Sequence, residues 1–229
     1  MTLLTPEDLG AVTLSLKVAA TATLICLPVA LLAAYALARW RFVGWTLLDA
    51  LTHLPLVLPP VATGYGLLIL FGHQGIFGRG LAAFGLVLAF RWTGAALAAA
   101  VMAFPLMVRP IRLSIEAIDR ETDEAAQTLG AGPVTRFIRI TLPLAAPGLI
   151  AAAVLGFAKA LGEFGATITF VAAIPGETLT LPAAIYQSTQ SPGAETRAEV
   201  LCAIAAVIAI GALLVSNLLE RSIRARGRS

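Results

Sequence analysis

Charge is scarce in this sequence: 13% of its 229 residues are charged, while 59% are hydrophobic. A soluble domain carries nearer a quarter charged residues, so a water-facing globular fold is excluded. Cysteine is almost missing. Cys26 and Cys202 each fall inside an apolar run without metal-like spacing, which predicts reduced, packed small hydrophobes rather than a disulfide. The two histidines, His53 and His73, stand far apart near opposite predicted faces, so no shared metal or acid–base site is expected and a membrane enzyme is disfavoured. No cleavable leader is expected either. Glu7 and Asp8 occupy the place of a basic n-region, and the first apolar run is too long. Internal duplications and interdomain linkers are lacking, so residues 1–229 read as one transmembrane domain.

What is present arrives as long apolar runs, and a bilayer-spanning helix needs about 20 such residues. Five spans are expected, at roughly Ala11–Ala38, Leu54–Phe71, Phe84–Val108, Ala145–Ala173 and Val200–Leu219, giving an all-α integral membrane protein. An odd count puts the termini on opposite sides. Arg39 and Arg41, the arginines at 109, 112, 120, 136 and 139, and those at 221, 224, 226 and 228 make eleven basic residues on one set of connections. The opposite set holds only Arg79 and Arg197, with Arg91 at the outer end of span three, where the membrane helix is expected to begin after it. Basic connections stay inside, which predicts an outer N-terminus, a cytoplasmic segment at 109–144 and a cytoplasmic C-terminus. The Pro-, Gly- and Thr-rich segment 174–199 reads as an ordered external cap.

The densest polar stretch is DEAAQTLGAGPVTRFIRITLP, residues 123–143. Upstream of it and into it, Ile111, Ile115, Ile118, Thr122, Ala125 and Leu129 recur at helical spacing. A register break is expected around Asp119 to Thr122, where either residue can cap a new helix. Glu121, Asp123 and Glu124 then fall in a first turn that favours negative charge. Gly130 suits a left-handed C-terminal cap, and Pro133 a helix restart with Val134, Phe137 and Ile138 as its apolar stripe. Residues 109–124 set three arginines against five carboxylates, a net charge of −2. A helix lying on the anionic cytoplasmic leaflet is normally basic, so an acidic helix with two alanines fits a groove on another protein better.

Glu124-Ala125-Ala126, three residues, Gly130, nine residues, Ile140, one residue and Leu142-Pro143 resemble the EAA motif of ABC importer permeases. The resemblance implies a type I permease subunit whose coupling region, about 119–143, docks in a cleft of a cytoplasmic ATPase. No G-x-x-x-x-G-K-[ST] run occurs here, so ATP and Mg are expected on that partner chain, with no cofactor on this one. LGEFGATITF at 161–170 and IPGETLTLPAAIY at 174–186 are similar to the oxyanion branch of molybdate, tungstate and sulfate permeases. HLPLVLPPVATGYGLL at 53–68 and AAAVMAFPLMVRPIRLSIEAID at 98–119 look nearer the molybdate permeases. Ala62-Thr63 and Pro110 depart from that likeness without touching the coupling positions. The implied partners are a second copy of the chain, two ATPase subunits, an extracytoplasmic oxyanion-binding protein and the lipid of a bacterial inner membrane, with no nucleic acid. A sulfate or tungstate permease and a stand-alone secondary transporter are the alternatives.

The residues also give a weaker pathway signal. Lys159 and Glu163 stand at i, i+4 on expected span four and are placed to form an ion pair, either for packing or for the pathway. Gly162, Phe164, Gly165 and Thr167 surround them. The hydroxyls of Thr167 and Thr169 can line a hydrated route or bond back to their own helix. Gly148, Ala152, Gly156 and Ala160 recur every fourth residue, the pattern of a tight seam within or between subunits.

Overall fold

The computed structural model describes residues 4–226, with the side chains of Leu213 and of everything beyond Val215 outside that description. The side chains of Arg221, Arg224 and Arg226 thus lie outside it, as does all of Arg228. Among the described residues every regular element is helical.

Helix α1, Pro6–Arg39, starts from a reciprocal cap: Thr5 Oγ1 accepts from the Asp8 N–H, and Asp8 Oδ2 accepts from the Thr5 N–H at 2.8 Å. Small residues at three- and four-residue spacing, Ala11, Ser15, Ala19, Ala22, Cys26, Ala30 and Ala34, form its buried face. Helices α2, Trp45–Val57, and α3, Pro60–Phe71, follow, bent by 115°. The cause is Pro59-Pro60: neither donates an N–H, and each forces the residue before it out of helical conformation, as Leu58 at ψ 142° records. After the short α4, Ile76–Ala82, the chain reaches α5, Trp92–Glu116, with Arg91 as its extended N-cap. Span three therefore begins after Arg91, as its charge requires, and not at Phe84.

Helix α6, Arg120–Thr128, and α7, Pro133–Arg136, are followed by a π-helical turn at Phe137–Thr141 and by α8, Leu142–Leu144. Helix α9, Ala146–Leu161, then leaves at 67° to the preceding run. The continuous span expected at Ala145–Ala173 does not form. Helix α9 ends at Gly162 and a new helix, α10, Gly165–Val171, begins after Phe164. Glycine is a poor helix former, and the Glu163 side chain offers the N–H of Ala166 an acceptor outside the helical ladder. The segment 174–199 is ordered, as expected, and contains α11, Leu181–Thr189; α12, Glu195–Arg226, completes the chain. Helices α1 and α5 are long and apolar enough to cross a bilayer, while α2–α3 and the run Pro133–Leu161 qualify only as bent pairs. The fifth expected span, Val200–Leu219, falls within α12, and its side chains beyond 215 lie outside the described residues.

The core is a stack of small residues. Val18, Ala19 and Ala22 of α1 meet Ala95, Ala98, Ala99 and Met102 of α5, and Ala160 of α9 joins them. Along the contact of α9 with α5, the expected seam of Gly148, Ala152, Gly156 and Ala160 is buried and lies within the subunit. A methyl on Gly156 would lie 2.5 Å from Met107 Sδ, and one on Gly148 would strike Ser114 Oγ. Near the chain's start, Ser15 Oγ accepts from the Leu181 N–H at 2.6 Å. Fully buried Asp8 takes two bonds from Arg197, at 2.6 and 2.8 Å, and so ties α1 to α12. Cys26 is buried as expected; Cys202 is exposed on α12, because that helix face has no neighbour within the chain, and both thiols are free.

Candidate functional site

The polar segment after α5 projects from the bundle. The apolar line Ile111, Ile115 and Ile118 is buried, with 8% exposure or less, but its expected continuation is not. A break at Ala117–Asp119 redirects the chain, so Thr122 and Ala125 are exposed and Leu129 is 88% exposed. Asp119 Oδ1 accepts from the Glu121 N–H at 3.1 Å and caps α6. At the other end Gly130 takes φ +83°, a conformation that costs a residue with a Cβ. There the Gly130 N–H donates to Gln127 O and the Ala131 N–H to Ala126 O, both at 3.0 Å, the paired closure of a left-handed cap. Pro133 then opens α7 as expected.

No residue of α6 is buried. Glu124 and Ala125 are exposed and Ala126 is half-buried. Beside them Leu129, Val134 at 68% exposure and Ile138 at 54% extend an apolar margin. Ile140 and Leu142 are half-buried, Pro143 is exposed, and Phe137 meets the edge of Tyr35 at 5.1 Å. The loop nevertheless has a fixed shape. Arg136 Nη1 donates to Asp123 Oδ2 at 2.9 Å and to Gln127 Oε1 at 3.2 Å, which clamps α7 to α6. Just above the break, Arg112 bridges Glu116 and Asp49 of α2, both at 2.8 Å, and lies over Trp45. Arg136 and Asp49 were missed in the sequence because their partners stand 13 and 63 residues away, beyond any helical period.

The second group gathers at the break between α9 and α10. Lys159 Nζ lies 2.7 Å from Glu163 Oε2. The pair exists, although Glu163 no longer belongs to the helix of Lys159. Glu163 Oε1 accepts from the Ala166 N–H at 2.9 Å, and its side chain is 1% exposed, whereas that of Lys159 is 30% exposed. Thr167 donates to the carbonyls of Glu163 and Phe164, and Thr169 to that of Gly165. Both threonines therefore satisfy their own backbone. Phe164 packs on Tyr186 with ring centres 5.0 Å apart.

The two helix breaks touch. A Cβ on Gly165 would lie 2.7 Å from Cβ of Pro60, and one on Gly64 would collide with the Ala166 carbonyl. Thr63 Oγ1 is buried there without a partner. Gly162, Glu163, Phe164, Gly165 and Thr167 thus form one local cluster with Lys159, while the seven positions from Glu124 to Pro143 form the separate projecting segment. No cluster of three or more metal-ligating side chains occurs among the described residues.

Residues 26–227 match the family described as binding-protein-dependent transport system inner membrane component. The chain is 52% identical over 225 residues to the molybdenum transport system permease protein ModB of Escherichia coli strain K12, covering 98% of each chain. Identity to the sulfate transport system permease protein CysT of Salmonella typhimurium is 37% over 201 residues, covering 86% of this chain and 73% of that one. The fold is similar to a solved bacterial ABC transporter involved in the import of the acidic polysaccharide alginate, with TM-score 0.76 at 19% identity, covering 96% of this chain and 81% of that one.

Proposed function

The chain belongs to the family of binding-protein-dependent transport system inner membrane components, and on that premise we propose that it is the membrane-spanning subunit of an ATP-driven molybdate importer. The observation that carries this reading is the capped, clamped and wholly unburied α6, joined to full-length likeness to a molybdenum permease. The higher identity to that protein than to the sulfate permease favours molybdate over sulfate. ATP and Mg bind and react on a partner ATPase, and this chain is the transport subunit.

In this mechanism Glu124, Ala125, Ala126 and Gly130 enter the ATPase cleft, with Ile140, Leu142 and Pro143 fixing how the segment rejoins the bundle. Two copies of the chain and two ATPases form the assembly, with the N-terminus outside and the C-terminus in the cytoplasm. A binding protein outside delivers the oxyanion. Closure of the ATPases displaces α6 and α7 as one body because Arg136 ties them. The motion passes to α5 across three residues and to α9 through α8. The glycine-lined seam makes α5 and α9 move together, and the far end of α9 is the break against α3. Shifting that break opens the route to alternate sides.

The test is reconstitution in liposomes with the partner ATPase and the binding protein. Molybdate uptake should require ATP, the ATPase and the binding protein. Uptake by this chain alone, driven by a proton or sodium gradient, would replace the reading with a secondary transporter; preference for sulfate would overturn the substrate.

A further inference from the structure

We propose that Lys159 touches the oxyanion in transit and that Glu163 is its resident counter-ion; this rests on the importer reading above. The buried stripe of α9 faces α5, so Leu155 at 43% exposure, Lys159 and exposed Gly162 occupy the outward side of the same helix. That side also carries the α9–α10 break, which packs on the α2–α3 break at Pro60, with Pro59, Pro60 and Val61 exposed. Broken backbone and an ammonium group are both costly against hydrocarbon. A face that combines them meets water or protein, and in a two-copy transporter such a face lies along the shared route.

The pair is asymmetric. Glu163 is sealed, with one oxygen on Lys159 and the other on the Ala166 N–H. Lys159 has three donors and uses one of them on Glu163. Its exposed side can therefore donate to an oxyanion while Glu163 stays in place. Neither α2–α3 nor the rest of α9–α10 contains another Lys or Arg, so Lys159 is the one such cation that these four helices bring to the breaks. Two copies present two ammonium groups, which match the double charge of a tetrahedral oxyanion. Glu163 keeps that attraction partial. A conducting site must hold its ion weakly enough to release it, and two lysines without counter-ions would not.

The experiment uses the reconstituted transporter with its ATPase and binding protein, and reads molybdate uptake alongside ATP hydrolysis. Lys159→Met should lower uptake by about tenfold or more, the scale of a lost charge-assisted hydrogen bond, while hydrolysis stimulated by the binding protein persists. Lys159→Arg should retain transport. The double variant Lys159→Met/Glu163→Gln removes the charge imbalance and should still fail. The exchange Lys159→Glu/Glu163→Lys preserves an i, i+4 pair but aims a carboxylate outward, and should block uptake. Recovery of uptake in either double variant would show a pair needed only for packing and overturn the assignment. Absence of ATP-dependent uptake in the unaltered protein would instead remove the importer reading itself.

Discussion

Glu124 on α6 and Glu163 at the α9–α10 break are the same side chain in opposite surroundings. The first is exposed on a helix with no buried residue. The second is 2% exposed and bonded through both oxygens. A solvated carboxylate costs the fold little and stays available to a partner. A carboxylate withdrawn from water must be paired, and its loss leaves the partner stranded. If α6 serves a partner as proposed, its residues are separable from those that hold the bundle, by asking whether stability or coupling fails first.

Four substitutions break or sharpen that contrast, in falling order of effect on stability. Glu163→Ala strands Lys159 and the Ala166 N–H, and should destabilise by about 3 kcal/mol, as expected when one member of a buried pair is removed. A thermal melt in detergent should show a clear fall, and an unchanged midpoint would refute the role of the pair. Gly156→Leu drives a side chain into Met107 across the α5–α9 seam and should cost roughly 1–3 kcal/mol by overpacking, in the same melt. Gly130→Val forces a β-branched residue to φ +83° and should cost about 1–2 kcal/mol, confined to the cap. Its larger consequence should be weakened copurification of the ATPase. Glu124→Lys should change the melt by less than about 0.5 kcal/mol, as surface substitutions do, yet abolish coupling of ATP hydrolysis to uptake. A fully active transporter carrying that change would remove Glu124 from the docking surface.

The two regions also differed in how far they could be read beforehand. The caps of α6 and the start of α7 were legible because Asp119, Gly130 and Pro133 act on their own backbone, within a few residues. The seam at Gly148 and Gly156 was legible because close helix approach demands small residues at a fixed period. The spacing of Lys159 and Glu163 places them together, but the apolar pattern around them gives no sign that the helix ends between them. Its end depends on Glu163 capturing the Ala166 N–H, a local competition that periodicity does not register. The bend at Pro59-Pro60 carried its signal in two prolines, yet the apolar run around it outweighed them. The register break expected around Asp119 to Thr122 was legible from its capping residues and falls at Ala117–Asp119, but the spacing gave no sign that burial would stop there. The bridges Arg136–Asp123 and Arg112–Asp49 required the fold itself.

The tie between Asp8 and Arg197 has a bearing on biosynthesis. These residues are 189 positions apart, and chains are made from the N-terminus onward. A nascent polypeptide thus inserts its first helix with a carboxylate whose cation has not yet left the ribosome. Only arrival of the last helix discharges that debt. A truncated product lacking α12 would leave Asp8 without its cation, holding only the bonds that Thr5 donates to it.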